Sequence, residues 1–334
     1  MNEKKLVPIA GPGMIQGRAP YTFYLDELRA EYGSTVYAID RYVEVFKIRD
    51  NVWAMNAPCT HAVGDNWIYL IEGPEKGLTI DNGYGVGNLK GLCEMLCGGK
   101  EVLTAVTHNH GDHAGGSPQW DKVYCHDYCA DMLEQKMPDY NAEWNRFNHV
   151  GEPQWRHYYK DEDIVPYNGF ACVHMQDHDI INLGEDYDIE ILHVGGHAPG
   201  EACFLDKKGR ILYTGDAVFE SRVPGLGLGL HGKGEGPKGK PEPLHSECQS
   251  IHFFARKIKE MAARVNEWDY CMAGHGYFDS PASLITDMAE CAQAVLDDPH
   301  KYTNTVETRF GIGYLMERGL VNIRYTNPDT ILNQ

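Results

Sequence analysis

The stretch THNHGDHAGG, residues 107–116, constrains this chain more than any other feature. It sets His108, His110, Asp112 and His113 within six positions and then runs into Gly115 and Gly116. A lone histidine is more often a structural residue than a ligand. Four candidate ligands in one turn reverse those odds, because imidazole nitrogen and carboxylate oxygen are donors that zinc, iron and manganese accept. The apolar run EVLTAVTH reads as a buried strand that ends where the cluster begins. Gly111, Gly115 and Gly116 let the backbone bend sharply beneath a metal. Such a turn can aim the first pair of ligands at one cation and the second pair at a neighbour.

A two-metal site needs further ligands, and strand ends supply them. His197 in GGHAPGE follows DIEILHV, Asp216 ends RILYTGD, and His275 follows DYCMAG. Each sits beside glycine, where a loop can turn a side chain toward a shared centre. His126, His149, His174, His178 and His300 lack that setting and read as ordinary polar or packed residues. The segment DNGYGVGNLKG has G-x-G-x-G spacing with Asn88 where a dinucleotide fingerprint needs glycine, so it is not read as a nucleotide loop.

Alternation in YVEVFKI, NWIYLIEG and GLTIDNG predicts strands joined by tight turns. KVYCH at 122–126 predicts another, and YDIEILHV, ACFLD and RILYTGD predict an antiparallel meander. Residues 86–97 read as helical. Ile251, Phe254, Ile258, Met261 and Val265 form one helical stripe. Ile285, Met288, Ala292 and Val295 form another, with Ser280 as its cap and Pro281 at its first position.

This ordered set resembles the metallo-β-lactamase superfamily of metallohydrolases. Asp81, then His108 to His113 in H-x-H-x-D-H, then His197, Asp216 and His275 meet the family's positions in sequence. The resemblance covers roughly residues 43–295 and does not assign a subfamily. It implies an α+β fold, a four-layer αββα sandwich. Residues 1–42 would form an N-terminal extension, 43–295 the catalytic domain and 296–334 a C-terminal extension. The resemblance also implies that His108, His110 and His197 hold one metal and Asp112, His113 and His275 the other. Asp216 would bridge them, Asp112 would serve catalysis, and Asp81 would orient the histidine turn from outside it. Two divalent ions are expected, zinc first, with manganese or iron(II) as alternatives.

The implied chemistry is hydrolysis of an ester, lactone, thioester or amide in a small molecule by a metal-bridging hydroxide. Asp216 stands where zinc β-lactamases with a second-site cysteine carry thiolate, which disfavours that class. Phe219 stands where lactonases of this type commonly place a tyrosine, which weakens the lactonase reading. The competing reading is an iron-dependent redox enzyme of the same fold, similar to persulfide dioxygenases. Diiron reductases are disfavoured, since they place a carboxylate where His110 stands.

Composition narrows the partners. The net charge of −18 argues against nucleic acid, whose binders usually present a basic surface. No run is long and apolar enough to span a bilayer, and the N-terminus lacks a signal-peptide core, so a cytoplasmic protein is expected. Ten scattered cysteines fit reduced, packed thiols. Cys93 with Cys97, and Cys125 with Cys129, do not match a C-x-x-C motif.

Substrate preference is expected from segments outside the shared pattern. Trp144 and Trp155 lie in an aromatic-rich insertion at 134–170, and His231 lies in a Gly/Pro-rich loop at 225–243. With Phe219 they are the candidate pocket residues, suited to an apolar or aromatic substrate. The insertion reads equally as a subunit interface. A homo-oligomer, dimer or higher, is expected from base rates.

Overall fold

The structure, a computed structural model, describes residues 22–57, 66–134, 161–222, 227–230, 244–308 and 311–333. Trp144, His149, Trp155 and His231 lie outside the described residues, as do most of the aromatic insertion and the Gly/Pro-rich loop.

Helix α1, Thr22–Tyr32, leads into a sheet whose eight strands lie side by side in chain order. These are Thr35–Tyr37 (β1), Asp40–Arg49 (β2), Val52–Ala57 (β3), Asn66–Glu72 (β4), Gly77–Ile80 (β5), Val102–Ala105 (β6), Lys122–His126 (β7) and Ala171–Met175 (β8). Pairing is antiparallel from β1 to β5 and parallel from β5 to β8. The first parallel crossover uses helix α2, Leu89–Leu96, whose N-terminus is capped by Asn88 Oδ1 accepting from the Gly91 N–H at 3.1 Å. The one-turn helix α3, Gly111–Ala114, follows β6, and α4, Asp127–Glu134, follows β7.

A second sheet contains Ile180–Asn182 (β9), Asp188–His193 (β10), Ala202–Asp206 (β11) and Ile211–Gly215 (β12). After Leu228–Gly229 (β13) and helix α5, Ile251–Ala262, the chain returns to it with Tyr270–Ala273 (β14) and Ser280–Pro281 (β15). The order is β15-β14-β12-β11-β10-β9, with β12 and β14 parallel. Helix α6, Ser283–Asp297, is followed by Asn304–Thr308 (β16), Gly311–Arg318 (β17) and Val321–Tyr325 (β18). A small third sheet runs β13-β18-β17-β16.

Successive side chains on each strand point to opposite faces, and both faces are buried, which produces the layers. Phe46, Ala54, Trp67, Tyr69 and Ile80 of the first sheet meet Ile189, Ile191, Phe204, Tyr213 and Met272 of the second in one buried cluster. Leu89, Leu92 and Cys93 of α2 cover the outer face of the first sheet at Val43, Val45, Met55, Ile68 and Leu70. Leu192, Leu205, Leu212 and Cys271 face α5 and α6 through Phe254, Ile258, Leu284 and Met288. The result is the expected α+β sandwich of helix, sheet, sheet and helix. Cys93, Cys97, Cys125 and Cys129 are buried free thiols.

Three helix boundaries differ from expectation, the first at α2, which spans Leu89–Leu96 where 86–97 reads as helical. Helix α5 stops at Ala262, and Val265 falls in a separate 3-10 turn, Val265–Glu267. Ser280 and Pro281 do not open α6. They pair with Cys271 and Tyr270 as β15, and Ser280 Oγ donates to the buried Glu220 at 2.7 Å. Tertiary pairing outcompetes a local cap there, and the helix starts two residues later. Residues 35–42 join the first sheet, while Met316, Val321, Ile323 and Tyr325 pack in the cluster that holds α5 and α6. No helix among the described residues is long and apolar enough to cross a membrane.

Candidate metal centre

Five chain segments deliver the candidate ligands to one end of the sandwich. Asp81 follows β5, the run His108 to His113 follows β6, and His197 lies on the β10–β11 connection. Asp216 follows β12 and His275 follows β14. Because β12 and β14 are parallel neighbours, their C-terminal ends emerge together, with the Gly274 N–H donating to Gly215 O at 2.7 Å. Ligand sites at the carboxyl ends of parallel strands follow from this layout.

The side chains of all seven expected metal-facing residues converge. His108, His110 and His197 present ligand atoms within 4.8 Å of one another, as do Asp112, His113 and His275. A third group, His108, His113 and Asp216, joins the two. Asp216 Oδ2 lies 3.3 Å from His197 Nε2 and 3.5 Å from His275 Nε2, while its Oδ1 lies 3.3 Å from His113 Nε2. Asp112 Oδ2 lies 3.5 Å from His113 Nε2 and 3.4 Å from His275 Nε2. His108, Asp112, His113, Asp216 and His275 are buried, and His110 and His197 are half-buried.

Asp81 occupies a left-handed backbone conformation, φ 66°. Its Oδ2 lies 2.7 Å from His113 Nδ1, which leaves Nε2 of that ring turned to the centre. Its Oδ1 accepts the Thr107 N–H at 2.7 Å and the Thr107 hydroxyl at 3.0 Å. Thr107 Oγ1 in turn lies 3.0 Å from His108 Nδ1. One carboxylate thereby orients two imidazoles, one directly and one through a hydroxyl.

The electrostatics fit a cation. Burial lowers the His108 imidazole well below its usual range, and the neighbouring His113 and His110 push it the same way. His108 Nε2 is buried without a hydrogen-bond partner among the described residues, a state that metal ligation resolves. Burial opposes protonation of His275, yet Asp216 and Asp112 overcome it and raise the ring to about 10. Burial also opposes ionisation of Asp216, and the His275, His113 and His197 rings hold its carboxyl well below the usual range. The cluster therefore demands positive charge, which a divalent ion satisfies with the same oxygen and nitrogen donors.

Phe219 is buried, with its ring centroid 6.3 Å from that of His275, so it forms an apolar wall at the second ligand group. Outside the centre, His126 stacks on His193 at 3.8 Å, and burial lowers it to about 3. His174 contacts Glu134, His178 contacts Glu190, and His300 lies 3.3 Å from Asp329.

Glu201 was not among the sequence candidates. It is fully buried, with Oε1 accepting the Asp216 N–H at 3.0 Å and Oε2 lying 3.1 Å from His108 Nδ1. The only sequence signal is its place in GGHAPGE, four residues after His197.

Comparison with known proteins agrees with this geometry. The family description Metallo-beta-lactamase superfamily matches residues 62–275. The chain is 30% identical over 171 residues to acyl-coenzyme A thioesterase MBLAC2 of Homo sapiens, covering 47% of this chain and 59% of that protein. The chain thus spans little more than half the length of that relative. It is 24% identical over 174 residues to hydroxyacylglutathione hydrolase GloC of Haemophilus influenzae, covering 52% of this chain and 68% of the relative. Among solved structures, DIM-1 metallo-beta-lactamase superposes with a TM-score of 0.51 at 15% identity, covering 75% of this chain and 97% of the other. That likeness bears on the fold alone.

Proposed function

Because the chain belongs to the metallo-beta-lactamase superfamily, we propose that it is a metal-dependent hydrolase that cleaves a small acyl thioester at a two-metal centre. The observation that carries this reading is the pair of ligand triads joined at Asp216. His108, His110 and His197 would hold one cation, and Asp112, His113 and His275 the other, with Asp216 serving both. Zinc suits this donor set, and manganese or iron(II) accept it as well. When bound, such ions supply a nucleophile from water at neutral pH and Lewis-acid stabilisation of the acyl oxyanion.

The chain's own residues complete the reaction. Asp112 orients the attacking water and takes its proton on a carboxylate oxygen, its basicity limited by its role as a ligand. Asp81 and Thr107 keep the proton of His113 and His108 on Nδ1, so that Nε2 faces the centre. Phe219 offers the acyl chain an apolar surface that excludes water. It has no hydroxyl to hold a lactone carbonyl, which favours the thioester over the lactone. A thiolate leaves without needing a proton, so the site requires no separate general acid. Relatives named as an acyl-coenzyme A thioesterase and a hydroxyacylglutathione hydrolase support the choice of bond.

The test is metal analysis combined with turnover of acyl-coenzyme A thioesters, lactones, aryl esters and amides. Two divalent ions per chain with thioesters cleaved fastest is the expected result. Turnover of lactones alone would overturn the choice of bond. A single iron with oxygen consumption on thiol substrates would overturn hydrolysis itself.

A further inference from the structure

We propose that Glu201 is a positioning residue that locks three ligand-bearing segments in one register, an inference that rests on the metal centre above. Glu201 stands immediately before β11, fully buried, and reaches each segment through a different atom. Its Oε1 accepts the backbone N–H of Asp216 at 3.0 Å. Its Oε2 faces His108 Nδ1 at 3.1 Å. Its backbone carbonyl accepts the N–H groups of Val194 at 2.9 Å and Gly195 at 3.0 Å, at the base of the turn that carries His197.

Packing alone does not account for a carboxyl group here, because burying one is costly unless it is matched by donors. Its Oε1 is matched by the Asp216 N–H, while Oε2 lies buried 3.1 Å from His108 Nδ1 without an aligned hydrogen bond among the described residues. Thr107 Oγ1 gives its own hydrogen to Asp81 and is thereby the acceptor for His108 Nδ1, with Glu201 Oε2 close against the same nitrogen. The hydroxyl acceptor and the adjacent carboxyl oxygen both favour the proton on Nδ1, which leaves Nε2 for the cation. The space for this carboxylate depends on Gly215, whose φ of +51° is left-handed. A Cβ there would lie 2.6 Å from both Glu201 Oε1 and Thr107 Cβ.

E201Q separates positioning from packing. The carboxamide conserves volume and its oxygen can still accept from the Asp216 N–H, but its NH2 group then faces His108 Nδ1. That arrangement favours the tautomer with the proton on Nε2, the atom needed for ligation. The protein, stripped with chelator, is titrated with Co2+ while its visible absorption is followed, and E201Q is compared with wild type. We expect wild-type thermal stability of the stripped variant, about 10–100-fold weaker binding of one Co2+ equivalent, and a changed absorption band for that equivalent. Thioester turnover should recover with excess metal at unchanged KM. E201D should restore part of the affinity, since it keeps a carboxyl group in place of the NH2 group. If E201Q binds Co2+ with wild-type affinity and spectrum, Glu201 is a packing residue and the proposal falls. If the wild type binds no divalent ion, the metal centre itself falls, a result distinguishable from the first.

Discussion

Asp81 shows how much one side chain can organise. From its left-handed backbone position it takes the Thr107 N–H on one oxygen and His113 Nδ1 on the other, each at 2.7 Å. Asp81→Asn offers an NH2 group to one of these donors, so metal affinity should fall about 10–100-fold in competition with a chromophoric chelator. Asp216→Ala removes the carboxylate that faces both ligand triads. Hydrolysis should drop by at least about 100-fold with both metal equivalents loosened, and full activity would refute the bridging role. The residues that converge here stood out in the sequence because metal coordination restricts residue type, and because His197, Asp216 and His275 each lie beside glycine at a strand end. Glu201 was not, since a single acidic residue before a strand carries no spacing signal. Its meaning appears only when β11 places it between His108 and Asp216.

Elements were legible where burial is periodic and less so where a neighbour competes. The stripe of α5 reads directly from Ile251, Phe254, Ile258 and Met261, all buried, and Ser250 caps it by accepting the Phe253 N–H at 3.2 Å. Ser250→Ala should cost about 1 kcal/mol of stability in chemical denaturation with an unchanged m-value. The cap expected at Ser280 fails for a nonlocal reason. The residue is drawn into the β14 edge and donates to Glu220, and neither partner is visible from local spacing. Strand β13 is hidden from local spacing for the same reason. β13 has two residues and exists only because β18 lies beside it.

Across the molecule, charge and burial set the response to acid. Glu190 on β10 is buried at its side chain and faces Arg264 at 2.7 Å, with His178 and Lys207 alongside. Burial opposes its ionisation, but Arg264, His178 and Lys207 win and depress the carboxyl from 4.5 to about 2. A depressed carboxyl contributes stability that is full above its unfolded pKa and lost as pH falls through the folded one. The contribution should therefore decline between about 4.5 and about 2. Glu190→Gln should lose about 2 kcal/mol at neutral pH and show a flatter decline across that window in denaturation at stepped pH.

The pairing of β13 with β18 has a consequence for how this protein can be altered. Leu228 is in register with Ile323, so the backbone nine residues beyond Phe219 is splinted by a strand distant in sequence. Ile323→Ala would open a void in the cluster shared with α5 and α6, and should cost about 2–5 kcal/mol. It should also weaken substrate affinity more than metal affinity, measured as KM against chelator competition. Exchanging the last strands for those of a relative would then transplant part of the specificity along with them, since scaffold and recognition share a seam.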